Sequence, residues 1–216
     1  MLRSAPDDSA QATSQLLHGE GFAVLDIAGR WAWGYCTHDH YVGYVRADTL
    51  GPQTAATHIV TAREAPLFSM PDIKSPALGT LSLGARISGT PEGNFVATPE
   101  GHVHLRHVAA IDAPADDPVA IAERLLGAPY LWGGRGAGGG GSSGAGLGAE
   151  IGPDAALRRG DILFFPGHVG LMVDAARMIH ANAHWMAVTI EPLADVVDRL
   201  RPDHEQPVLA RKRLDP

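Results

Sequence analysis

The chain has 216 residues, 45% hydrophobic and 19% charged, a globular composition with material for one large core or several small ones. Its formal net charge of -7 comes without any Lys/Arg cluster long enough to follow a phosphate backbone, which argues against nucleic acid as a partner. No apolar run reaches membrane-spanning length, the first 15 residues are polar and acidic, and the single cysteine, Cys36, cannot form an internal disulfide. The expectation is a cytoplasmic protein with no membrane partner, or a periplasmic one if a signal peptide has been removed.

Residues 22–26, 31–36 and 41–45 are short alternating or β-branched runs, broken by Gly29-Arg30 and by Asp39. They predict a small antiparallel barrel over residues 1–52. Residues 85–89, 94–98 and 102–105 repeat that grammar and predict a second barrel over residues 53–112. Gly29-Arg30-Trp31-Ala32 matches Gly93-Asn94-Phe95-Val96, the mark of an internal duplication, and Gly51-Pro52-Gln53-Thr54 connects the copies.

A third region, residues 113–216, opens on a linker rich in Pro and Asp and a helix predicted over residues 119–126, ended by Gly127. Strand-like runs follow at 161–165, 169–173, 177–181 and 188–191, and a short helix at 192–200. The expected fold class is α+β, with an antiparallel sheet in the third region. Arg211-Lys212-Arg213 is a short terminal basic run.

His168 sits between Gly167 and Gly170 at the start of one predicted strand, and His180 lies on the next. Hairpin pairing sets their imidazoles side by side. A cysteine peptidase uses such a pair, one imidazole to hold the thiolate and a second polar group to fix its tautomer. Either histidine alone reads as an ordinary strand residue.

The order in which the motifs occur carries more information than either histidine. Tyr130-Leu131-Trp132-Gly133-Gly134-Arg135 is followed by Arg159-Gly160-Asp161-Ile162-Leu163-Phe164-Phe165, then Gly167-His168-Val169-Gly170, then Met178-Ile179-His180-Ala181. This series resembles the NlpC-type cell-wall peptidases, papain-like cysteine enzymes, over roughly residues 119–195. The resemblance implies two bacterial SH3-like barrels in front of a truncated papain-like domain. It implies a γ-D-glutamyl-diamino-acid endopeptidase of peptidoglycan turnover or recycling, with a peptidoglycan-derived peptide as partner and neither metal nor other cofactor. It makes His168 the base, His180 the residue that orients it and Tyr130 an active-site tyrosine, with Trp132, Gly133, Gly134 and Arg135 at the substrate.

One departure is severe. The family carries an Asp-Cys-Ser-Gly motif after the Trp-Gly-Gly turn, at the head of a buried helix. Here alignment on Ser143-Gly144 puts Gly141 at the Asp position and Ser142 at the Cys position. A serine hydroxyl is far less acidic than a thiol, and an imidazole suited to a thiolate need not activate it. Glycines at 144, 146, 148 and 152 break any helical repeat, so the tract reads as a Gly/Ser linker, engineered or decayed, in place of the nucleophile helix. The chain is therefore expected to be inactive, with apolar surface left for self-association. The alternative is a non-catalytic binding or assembly module for cell-wall peptides or a protein partner.

Three rival sites are weaker. Cys36, His38 and His40 alternate as strand-borne metal ligands do, and His102, His104 and His107 form a second cluster, yet both read more simply as barrel and turn residues. The glycine tract lacks the Lys-Ser/Thr ending of a phosphate loop.

Overall fold

The computed structural model describes residues 1–113, 117–135 and 148–214. The chain divides into two compact units, Met1–Pro114 with Trp132–Ala137, and Ala115–Leu131 with Gly138–Pro216.

The first unit opens with strands β1 (Leu2–Arg3), β2 (Ala12–Ser14), β3 (Phe22–Ala28), β4 (Trp31–Cys36) and β5 (Val42–Arg46), in one antiparallel sheet of order β2-β1-β5-β4-β3. Leu2, Ala32, Cys36 and Val45 form its core. Then come β6 (His58–Val60), β7 (Glu64–Phe68), β8 (Ala77–Ser82), β9 (Arg86–Ile87), β10 (Thr90–Glu92), β11 (Phe95–Thr98), β12 (Gly101–His104) and β13 (Val108–Ala110). They make a five-stranded sheet, β10-β11-β12-β7-β8, and a three-stranded one, β13-β6-β9, around Val60, Ala65, Leu81, Ile87, Val96 and Val103.

The duplication has a structural counterpart. Ala28 pairs with Trp31 and Glu92 with Phe95, so each copy turns on a two-residue loop. Gly29 and Gly93, the first residues of those loops, both have φ of 60°, a conformation that favours glycine. The residues after each loop, Trp31-Ala32 and Phe95-Val96, are buried, and both copies end in a 3-10 turn, Ala47–Thr49 and Leu105–His107. Strands β7 and β8 escape the sequence reading because Pro66 interrupts one and most of the other is exposed, which removes the period-2 signal.

In the second unit, helix α1 (Pro118–Glu123) starts with Asp117, whose side chain accepts from the Val119 amide (2.9 Å), and with Pro118 as its first residue. It ends earlier than the pattern predicts, the chain continuing in turns to Gly127 at φ 76°. Strands β14 (Ala149–Glu150), β15 (Asp161–Phe165), β16 (His168–Met172), β17 (Arg177–Asn182), β18 (Ala187–Pro192) and β19 (Ala210–Arg213) form a six-stranded antiparallel sheet, β14-β19-β15-β16-β17-β18, and helix α2 (Leu193–Leu200) follows β18. Alternate residues face opposite layers. Ile179 packs with Val119, Ala128 and Val188, whereas Met178 packs with Leu163, Met172 and Val196 of α2.

The terminal basic run is β19 itself. Arg213 donates from Nε and Nη2 to the two carboxylate oxygens of Asp161, both at 2.7 Å, and Asp161 is fully buried. This bidentate pair at the end of the β15–β19 register holds Asp161 below the usual carboxylate range: burial pushes the group up, and the Arg213 and Arg158 hydrogen bonds outweigh it.

Candidate active site

The second unit sets its histidines by two short hairpins. Phe165 pairs with His168 across Pro166-Gly167, a turn in which proline presets its own φ and Gly167 takes φ 66°. His168 thus begins β16. The next hairpin pairs Leu171 with Ile179 and Met172 with Met178, and Asp174 holds its turn by accepting from the Ala176 and Arg177 amides. Continued along the strands, that register sets Gly170 opposite His180. A side chain at 170 would overlap the end of Met178, so glycine lets the two strands carry their side chains this close.

The result is a directed chain of hydrogen bonds. His168 Nε2 lies 2.7 Å from His180 Nδ1, and His180 Nε2 lies 2.7 Å from Glu191 Oε1. Trp185 Nε1 donates to Glu191 Oε2 (2.7 Å), and Arg199 of α2 donates to both oxygens at 3.0 to 3.2 Å. Trp185 is presented by the four-residue β17–β18 loop, where Met186 takes a φ of 51°, a costly conformation for a residue with a side chain.

Protonation follows from these partners. Burial pushes the Glu191 carboxyl up, but donors on Arg199, Trp185 and His180 outweigh it and hold the group at about 2. Glu191 is therefore ionised and only accepts. His180 must donate from Nε2, its Nδ1 must accept, and His168 must donate from Nε2. The lone pair of His168 is left on Nδ1, which has no partner among the described residues. Burial, then the neighbouring His180 and Arg199, push His168 down to about 4, and burial likewise lowers His180 against the pull of Glu191. At neutral pH both rings are uncharged, and the His168 ring is a base held in one tautomer and one orientation.

The other residues singled out in the sequence fall in several places. Tyr130 is in the same unit as the histidines, its amide donating to the Met186 carbonyl (2.8 Å) beside the Pro129–Ala187 bridge. Trp132, Gly133, Gly134 and Arg135 belong to the other unit. There Trp132 is 58% exposed, Gly133 has φ of 72° against Ala12, and Arg135 bonds to Gln15, Glu20 and His38. Ser142, with the rest of the Gly/Ser tract from 138 to 146, lies outside the described residues. Cys36 is fully buried beside Ala32 and Val45, its thiol pushed up to about 12 by burial and then by Asp39, and His38 is taken up by Arg135. Among the described residues no three His, Cys, Asp or Glu side chains are grouped as metal ligands.

Glu191, Trp185 and Arg199 were not foreseen. Glu191 carried one weak signal, an acidic side chain on the strand face that its register partner Met178 gives to the core.

Comparison with known proteins agrees with this architecture. A model of the bacterial dipeptidyl-peptidase SH3 domain matches residues 2–50. An NlpC/P60 family protein from Bacillus cereus superposes with a TM-score of 0.78, covering 100% of this chain and 96% of its own at 20% identity. The chain has the fold of an SH3-containing NlpC-type peptidase. Dipeptidyl-peptidase 6 of Lysinibacillus sphaericus is 24% identical over 239 aligned positions, 89% of this chain and 88% of the relative. That alignment is longer than the chain's 216 residues, so this relative carries segments that the chain lacks. NlpC2 from Trichomonas vaginalis, at 14% identity and a TM-score of 0.41 over 89% of this chain and 83% of its own, is too distant to add to the comparison.

Proposed function

We propose that this chain is the framework of a γ-D-glutamyl-diamino-acid endopeptidase acting on peptidoglycan peptides, with residues 1–52 and 53–112 as SH3-like domains and 113–216 as the peptidase domain. The observation that carries the reading is the relay from Glu191 through His180 to His168, which ends on an imidazole nitrogen with no partner among the described residues. In a cysteine peptidase that nitrogen accepts the thiol proton, the thiolate attacks the γ-D-glutamyl carbonyl, the imidazolium returns the proton to the leaving amine, and water hydrolyses the thioester. Tyr130, in the same unit as the relay, is the proposed active-site tyrosine.

The thiol is what this chain does not supply. Its one cysteine is sealed in a sheet core of the other unit and held protonated, so the chain has a positioned base and no cysteine thiol to serve it. Incubation with L-Ala-γ-D-Glu-diaminopimelate tests this, with no product expected by mass spectrometry. Cleavage that disappears in His168→Ala would overturn the inactivity and assign the relay to another nucleophile. A second reading, a binding module for cell-wall peptides, draws on the SH3 match at residues 2–50. Saturable tripeptide binding unaffected by His168→Ala supports it.

A further inference from the structure

The second SH3-like segment contains a cavity of about 320 Å³ lined by Phe68, Ile73, Asn94, His104, Arg106 and His107. In a chain of net charge -7, none of the six is acidic. No carboxylate pairs with the exposed Arg106 among the described residues, and the nearby Glu92 is turned to His102 (3.5 Å), which is not part of the lining. A cation therefore finds no ligand oxygen on a side-chain carboxylate here, and meets a guanidinium.

Among the polar groups of the lining, His104 is an oriented donor. His104 Nδ1 accepts from the Arg106 amide (3.1 Å) at the head of the 3-10 turn Leu105–His107, which leaves the proton of the neutral ring on Nε2. Asn94 is held by its carbonyl, which accepts from the Leu105 amide (2.8 Å), while its side-chain amide has no bond within the described residues. His107 has a buried Nδ1 without a hydrogen-bond partner among the described residues, a polar group of the kind that folding ordinarily satisfies. One wall is stiff and apolar: His104 packs edge-on to Phe95 with ring centroids 5.1 Å apart, Phe95 packs edge-on to Phe68 at 6.1 Å, and Ile73 stands exposed at the rim. These contacts fix the rings without using the His104 Nε2 proton.

We propose that this cavity is a binding site for the carboxylate end of a short peptide whose last side chain is small and apolar. Arg106 offers two parallel N–H donors to the two carboxylate oxygens, His104 and Asn94 supply further donors, and Phe68 and Ile73 receive the side chain. The volume is at the small end of ligand pockets, enough for about two residues. A phosphate gains the same charge contact but nothing from the aromatic wall, so the wall selects a peptide over an inorganic anion.

The full chain, labelled for observation of its histidine ring signals by NMR, is titrated with N-acetyl-dialanine, with the same compound as its C-terminal amide, and with inorganic phosphate. Saturable shifts of the His104 and His107 signals with the free acid are expected. Binding should weaken at least tenfold for the amide and for Arg106→Ala, and phosphate should bind more weakly than the peptide. Arg106 is exposed and its side chain makes no bond among the described residues, so thermal unfolding of Arg106→Ala should match the parent. Equal binding of acid and amide, tighter binding of phosphate, no effect of Arg106→Ala, or no saturation into the millimolar range would each overturn the proposal.

Discussion

The molecule holds two dense polar networks that end differently. In the first unit Arg135 donates to Gln15 and to both oxygens of Glu20, lies 2.6 Å from His38 Nε2 and 3.4 Å from Asp39, and the Leu17 amide also donates to Glu20. Each of these side chains has a partner within the cluster. In the second unit the chain Arg199–Glu191–His180–His168 is satisfied at every internal joint and stops at His168 Nδ1. A closed network fixes structure; one that delivers a held, neutral base to an open nitrogen has its last bond reserved for something that binds. This contrast, more than the presence of histidines, separates a candidate catalytic group from a structural one.

The largest expected effect tests closure. Arg135→Ala leaves Glu20, its side chain 6% exposed, without its cation, and should cost about 3 kcal/mol in denaturant unfolding. A loss below about 0.5 kcal/mol would mean that solvent already serves Glu20 and that the network is not closed. Glu191→Gln probes the relay with a smaller effect, about 2 kcal/mol, because an amide still accepts from some of the donors that the carboxylate satisfied. The decisive readout is the nitrogen NMR of the rings: without the ionised acceptor His180 should lose its single tautomer, and His168 with it. Retention of both tautomers would detach Glu191 from the relay.

The smallest effect is one of pH. His168 is held at about 4 in the folded protein against an ordinary value of 6.5, so between these limits the unfolded chain binds the extra proton and stability falls as pH falls. From about pH 7.5 to pH 5.5 this ring should account for a loss of about 1 kcal/mol, measured by urea unfolding, and His168→Asn should remove that part. Glu191 acts in a lower window, its stabilising charge present above about 4.5 and lost as pH falls toward about 2. A profile unchanged by His168→Asn would show that the ring is solvated and not held neutral by burial.

Much of the local structure was legible because its causes are local. Period-2 alternation and turn residues located β3, β4, β11 and β15 to β18 to within a few residues, and glycine at φ 60° marked both copies of the repeated hairpin. The neighbouring placement of His168 and His180 was also readable, since a single short hairpin joins them. The helix pattern overran α1 because apolar residues 125 and 126 continue it after the hydrogen bonds have passed into turns.

Residues and chemistry by themselves determined which segments extend, which turn, that the chain holds one cysteine, and that two histidines meet on adjacent strands. Tertiary structure alone decided that Arg211 to Arg213 form a strand beside β15, that Arg213 neutralises Asp161 across 52 residues, and that Glu191, Trp185 and Arg199 stand behind His180. It also decided that Arg135 turns to Glu20 across 115 residues. The reason is physical: alternation and turn preferences act over a few residues, whereas an ion pair or relay exists only after register and helix packing have brought distant side chains within hydrogen-bond reach.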